Sequence, residues 1–394
     1  MFKTKVGYSK ITDAYEAGVE TAKSATSEIK AKVGLLFNSV GYNQKKFMEG
    51  IKSVMPDVDV IGCTSSAGII TPEGYMIDES GTAGMLTLDD KDLTVACYGM
   101  AKKKSARETG REVALKALEK AGLDYAPDYF FMSASPAEEE EYIKGIQDII
   151  GRVPCFGGSA ADNTVEGKWS LFYNDTIFND GVVAAFFYTG KDIATVYTGA
   201  YNETDKVGVI TEVKDKRTLV SIDGKSALKK YAEWIETDPN ELKENNLLVA
   251  SITKPLGVKS PFGDMTVIRH PMFGDDNNTK TLNDDVIKLG NNLVEKTAVI
   301  QMEATVDELI NSTGNTLREL KEKCPNPAGY LLVHCGGRRL GIGDRMNEVY
   351  EQLKKEAGDV PFLVVFTFGE YGYTDDAQTN AAGGLMLSFT AFEK

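Results

Sequence analysis

Apolar and polar positions recur in one order three times along the chain. Each occurrence opens with an unbroken apolar run that ends in small polar residues: VGLLFNSV (33–40), YFFMSAS (129–135) and YLLVHCGG (330–337). Runs without alternation predict strands buried on both faces, as in a parallel sheet covered by helices. The segments that follow, NQKKFMEGIKSVM, PAEEEEYIKGIQDII and RMNEVYEQLKKEAG, carry apolar residues at helical spacing and predict amphipathic helices. A second apolar strand closes each unit: VDVIGCTSSAG (58–68), VPCFGGSAADN (153–163) and VPFLVVFTFGEYG (360–372). Enough chain separates the paired strands for a helical crossover, so each unit predicts a right-handed βαβ.

Two further local patterns sharpen the expectation. GTAGMLTLDDKDLTVACYGM (81–100) matches GVVAAFFYTGKDIATVYTGA (181–200), with the turns DDKD and TGKD in register, and predicts an antiparallel hairpin after each of the first two units. The third unit keeps one such strand, GGLMLSFTAF. In the middle helix, Ser135, Pro136 and Glu138 predict an N-cap, N1 and N3 capping box, which makes the EEEE run a structural helix start. The region from about 205 to 325 does not repeat the unit; it reads as strands, turns and helices, the last helix stopping before Pro325. The fold class expected is α/β, with mixed sheets built from repeated βαβ-plus-hairpin units in two closely packed domains, because no Gly/Ser or Pro-rich linker separates the regions.

With 394 residues, 42% of them hydrophobic, the chain can bury more than one core. The net charge of −14 disfavours nucleic acid and anionic membrane as partners. Its five cysteines form no C-x-x-C pair, so neither a disulfide framework nor a metal site is expected, and reduced cytoplasmic thiols fit. No apolar run is long enough to span a bilayer. SIDGKS lacks the first P-loop glycine and GGRRLGIGD is not G-x-G-x-x-G, so no nucleotide cofactor is expected. FGDDNNTKTLNDD and GYTDDAQ lack EF-hand spacing and read as solvated turns.

In open α/β sheets, ligands settle where parallel strands end. Those ends here carry Cys63, Thr64 and Ser66; Gly157, Gly158, Ser159, Asp162 and Asn163; Cys335, Arg338 and Arg339; and Gly369 and Glu370. An arginine takes a carboxylate bidentately, glycine lets backbone amides approach, and an acidic residue takes an ammonium, so the set suits a small polar zwitterion. Gly and Ser are equally the ordinary residues of turns.

The combination DVIGCTSSAGI, PCFGGSAADN, SIDGKSALKKY, VIRHP, VHCGGRRLGIGDR and FTFGEYG resembles the FIST family of paired N- and C-terminal sensory domains, in the family's order and over nearly the whole chain. The resemblance implies an N-terminal domain over 1–220 and a C-terminal one over 221–394, and a cytoplasmic sensor of a small ligand such as an amino acid. Carried onto matching positions, it points to Gly157, Gly158, Asp162, Asn163, Cys335, Arg338, Gly369 and Glu370. Where the family commonly shows a His-Asn element, this chain reads DDAQTNAAGGLM, leaving Asn380 as the nearest candidate. A separate signalling protein would carry the output, and a homo-oligomer is compatible.

Two other classes stand beside the sensor. A thiol-dependent enzyme would use Cys335 or Cys63, but His334 and Cys335 are strand neighbours and point to opposite faces, leaving His270 as the remaining base. Separately, a carboxylate pair such as Asp162 with Glu370 would do acid/base work where burial splits their pKa values. An interaction scaffold would use the repeats for packing alone.

Overall fold

The computed structural model describes residues 2–78, 81–243, 246–260, 263–274 and 285–394; most of FGDDNNTKTLNDD lies outside them. Three six-stranded sheets share one topology, and a fourth, eight-stranded antiparallel sheet is inserted within the third unit. Each unit starts on an edge strand: Lys3–Ser9, Thr94–Ala101 and Ile193–Thr198. A helix follows in the first two units, Ala14–Thr26 and Ala106–Ala121; in the third, Val306–Lys323 takes that place after the inserted sheet.

The predicted parallel pairs are present and buried: Val33–Asn38 with Asp59–Thr64, Tyr129–Ala134 with Cys155–Gly158, and Pro327–Cys335 with Phe362–Thr367. Their crossovers are the predicted helices Gln44–Val54, Glu139–Ile150 and Met346–Ala357. Unbroken apolar runs arise because each sheet has helices on one face and the other sheets on the other. Phe37, Phe131, Phe156, Val333, Val365 and Phe392, from all three units, form one shared core, with Phe131 and Phe156 rings 5.8 Å apart. Helices close the outer faces around separate clusters.

Two local expectations are corrected. The strands Ala83–Asp89 and Thr94–Ala101 do not form a hairpin with each other: the first pairs with Lys3–Ser9 and Val33–Asn38, the second with Gly181–Tyr188. The turn DDKD therefore joins two sheets, and TGKD does the same, since Ile193–Thr198 pairs with Leu387–Glu393. The hairpins lie earlier, directly after the second parallel strand, and each is donated to a neighbouring unit. Ile69–Met76 of the first unit extends the third sheet beside Phe362–Thr367. The hairpin starting at Leu171, from the second unit, extends the first sheet beside Asp59–Thr64, and the one starting at Glu370, from the third, extends the second sheet beside Cys155–Gly158.

The second correction concerns Ser135. The helix begins at Glu139 with Glu138 at its cap and no capping side chain. Ala137 at φ 92 breaks the run between Ser135 and the helix, and the Ser135 hydroxyl instead donates to Asp180 and accepts from the Gly181 amide.

The helix pairs of the first two units cross through glycines placed alike. A methyl group at Gly18 or Gly50 would overlap the carbonyl oxygens of Phe47 and Tyr15; at Gly110 or Gly145, those of Tyr142 and Arg107. Among the described residues, no helix is long and apolar enough to cross a membrane.

Candidate functional site

The loops leaving the parallel strands meet, and much of what they bring is spent on one another. Ser66 of the first unit donates its amide to the Phe366 carbonyl of the third at 2.9 Å; Ala161 of the second donates to Thr64 of the first at 2.9 Å; Ser159 donates to Gly369 at 2.8 Å. The Ser65 hydroxyl accepts from the Phe366 amide and donates to the Gly68 carbonyl.

A cavity of about 70 Å³ remains at the end of the third unit's first parallel strand. Its polar wall is Ser66, Asn163, His270, Cys335, Gly337 and Arg339, and its apolar wall is Val165, Leu248, Met272, Leu340 and Phe368. Ser66, Asn163, Cys335 and Arg339 are thus brought together from all three units. Leu248, His270 and Met272 come from the inserted region, and nothing in their local pattern marks them as ligand-facing except the lone histidine of IRHP.

Arg339 carries the charge of this wall. Its guanidinium lies 6.0 Å from the Phe366 ring centroid, its Nε has no hydrogen-bond partner, and no carboxylate pairs with it among the described residues. His270 is buried, which pushes its imidazole down to about 4 and keeps it neutral. Its Nε2 lies 3.0 Å from the Leu248 carbonyl; a carbonyl only accepts, so Nε2 carries the proton and Nδ1 is the acceptor. Asn163 is anchored by the Ala67 amide, which donates to its Oδ1 at 2.8 Å.

Other residues singled out from the sequence lie elsewhere. Arg338, its neighbour on the helix Gly336–Ile342, is fully buried. Its guanidinium donates to the carbonyls of Gly199, Leu385 and Leu309 and to the Ser312 hydroxyl, which leaves no fork for a ligand carboxylate. The Asp162 carboxylate accepts the amides of Thr164, Val165, Glu166 and Lys168, holding its own loop instead of an ammonium. The Ser159 hydroxyl bonds Glu139 and Tyr371, and Thr64 Oγ1 accepts from the Ser170 amide. Asn380 clips its hairpin to the second unit, donating to the Val153 carbonyl and accepting from the Cys155 amide.

Gly157, at φ 135, passes so close to the Met132 carbonyl that no side chain fits; Gly158 packs on Thr367, and Gly369 on Ser159. These glycines serve close packing between strands. Glu370 is fully buried behind the cavity: Oε1 accepts from the Thr367 hydroxyl at 2.8 Å and Oε2 from the Met386 amide at 2.9 Å. Burial raises its carboxyl to about 8.

The thiols are not poised for nucleophilic chemistry. Burial and the nearby Glu370 push the Cys335 thiol far up, and burial pushes Cys63, set within the shared core, up to about 12. A thiolate is the reactive form. His334 donates from Nδ1 to the Cys335 carbonyl at 2.9 Å, not to its sulfur, and burial pushes its imidazole down to about 3. No group of three His, Cys, Asp or Glu side chains suited to a metal occurs among the described residues.

Two family models match the chain, the FIST N domain over residues 32–225 and the FIST C domain over 227–373. The chain belongs to the FIST family. FIST domains are sensory domains that bind small ligands in signal transduction. The cavity draws on both FIST matches, Ser66 and Asn163 from the N domain and His270, Cys335 and Arg339 from the C domain. No curated protein matches the chain. Among solved structures, a cyanuric acid hydrolase from A. caulinodans aligns over all of both chains at 9% identity and a TM-score of 0.38. PurLQS from Thermotoga maritima aligns over all of this chain and 72% of its own at 8% identity and a TM-score of 0.23. At those scores neither bears on this FIST chain's function.

Proposed function

We propose that this FIST chain senses a small carboxylate, bound in the cavity at Arg339. The observation that carries the reading is Arg339, a cation facing a largely apolar cavity with no carboxylate paired to it among the described residues. A ligand carboxylate supplies that balance through charge-assisted hydrogen bonds, which are about twice as strong as neutral ones. Ser66 and the Asn163 side chain add polar contacts, while Leu248, Met272 and Phe368 cover a short apolar chain. The volume lies well below the roughly 300–1,000 Å³ of drug-sized pockets, which favours an acid of a few carbons.

An amino acid is the finer reading. Its ammonium would meet no carboxylate in the wall, because Asp162 is occupied by amides and Glu370 lies behind Cys335. Simple monocarboxylates fit the wall better. Ligand held by both FIST halves at once would stabilise their packing, and a separate signalling protein would read that change.

The test is thermal unfolding of the full chain with propionate, lactate, alanine and glycine. A ligand that binds only the folded state stabilises by about 2.7 kcal/mol at a hundred times its Kd. Propionate or lactate is expected to raise Tm, alanine and glycine less, and Arg339→Ala to abolish the shift. A Tm unmoved by every acid, or a shift that survives Arg339→Ala, refutes the reading.

A further inference from the structure

A larger cavity lies apart from the one just described. A groove of about 770 Å³ runs between the helix Glu139–Ile150, the hairpin strand Thr379–Gly383 and the inserted strands Leu256–Lys259 and Thr266–Arg269. Its volume falls within the range of ligand-binding pockets. Val258, Val267, Leu293, Val294 and Ala381 give it an apolar lining, and Val294 is 69% exposed there.

Arg269 sits in the groove wall. Its Nη1 donates to the Ala382 carbonyl at 3.1 Å and to the Ile268 carbonyl at 3.3 Å, while Nε is enclosed without a partner. Among the described residues no carboxylate forms an ion pair with it; Glu140 lies near enough to favour its charge but is bonded to Arg217. The acids of the groove are already engaged: Glu140 with Arg217 at 2.7 Å and with the Asn292 amide at 2.9 Å, and Asp148 with Arg107 at 2.8 Å. Of the other cations lining it, Lys259 is bridged to Glu203 and Lys144 to Glu141, while Arg152 is exposed to solvent, where a charge needs no counterion. A largely buried cation without a counterion is unfavourable, and an anion arriving from the groove removes the penalty.

We propose that this groove is a second ligand site, selective for an amphipathic organic anion whose carboxylate or phosphate head meets Arg269 and whose apolar body lies along Val258, Val267, Leu293 and Val294. It stands apart from the small cavity, although the two share a wall: Arg269 faces the groove and the next residue, His270, faces the cavity. The proposal does not rest on the carboxylate reading of that cavity.

Isothermal titration calorimetry of the full chain tests it with hexanoate, hexyl phosphate, hexanol and inorganic phosphate. At least one of the two amphiphiles is expected to bind at least tenfold more tightly than either hexanol or phosphate alone, and the preference between them identifies the head group. Arg269→Gln is expected to weaken that binding at least tenfold, and Arg339→Ala to leave it unchanged. Should Arg269→Gln fail to fold, Val294→Asp, at an exposed position, decides: a carboxylate in the lining should weaken the amphiphile at least tenfold. The proposal is overturned if neither amphiphile outbinds hexanol, or if the folded groove variants bind as wild type does.

Discussion

At the scale of residues, adjacent positions have opposite fates. Arg338 and Arg339 are indistinguishable in GGRRLG, yet successive residues of a helix point about 100° apart, so one is spent on buried carbonyls and the other faces the cavity. Glu370 shows how burial turns a motif residue into a pH-dependent one. Burial raises it from its ordinary 4.5 to about 8, against opposing contributions from the Thr367 hydroxyl, the Met386 amide, Cys335 and Arg338. The folded chain thus binds this proton more tightly than the unfolded chain. The stability it contributes is complete below about pH 4.5 and is lost as pH rises to about 8. Glu370→Gln removes the titration while keeping a neutral group of the same shape. The unfolding free energy of wild type from urea titration should therefore fall relative to Glu370→Gln across that window, by up to about 1.4 kcal/mol per pH unit. Parallel curves would contradict a raised carboxyl.

At the scale of elements, the crossover helices and parallel strands are legible because their burial is written into local periodicity, whereas the helices Ala14–Thr26 and Ala106–Ala121 drew no expectation. The hairpins are not legible either. Two strands joined by DDKD or TGKD look the same whether they pair with each other or enter different sheets, since the turn chemistry is shared. The close helix crossings are equally silent in sequence, where Gly18, Gly50, Gly110 and Gly145 read only as weak helix formers. Two effects compete at Gly50. Alanine would gain about 1 kcal/mol of helix propensity, while overpacking against the Tyr15 carbonyl would cost about 1–3 kcal/mol. The backbone cannot step aside, so Gly50→Ala should lower Tm. Gly314→Ala in the third unit should hold or raise Tm, because its methyl would meet only the movable end of Gln352. Differential scanning calorimetry of both variants checks this; equal effects would remove the argument from backbone contact.

At the scale of the whole molecule, each unit completes another. The second sheet needs the hairpin that starts at Glu370, and the third needs Ile69–Met76 and Ile193–Thr198 from the other half of the chain. Expressed alone, residues 1–220 would leave those strands without partners and expose the shared core to which Leu331, Val365 and Phe392 contribute. Such a fragment is expected to bind a hydrophobic dye and to unfold without a sharp thermal transition. A cooperative transition with little dye binding would show that the half folds by itself.

What the amino-acid sequence determined by itself was the three-times-repeated strand–helix–strand unit, because burial on two faces demands an unbroken apolar run and burial on one face demands a period. What tertiary structure alone decided was which sheet receives each hairpin, which arginine faces the cavity and which inserted residues line it. Those outcomes depend on partners hundreds of positions away, such as Ser66 on Phe366 or Asn380 on Cys155. A local pattern carries the burial of a residue, not the identity of what it is buried against.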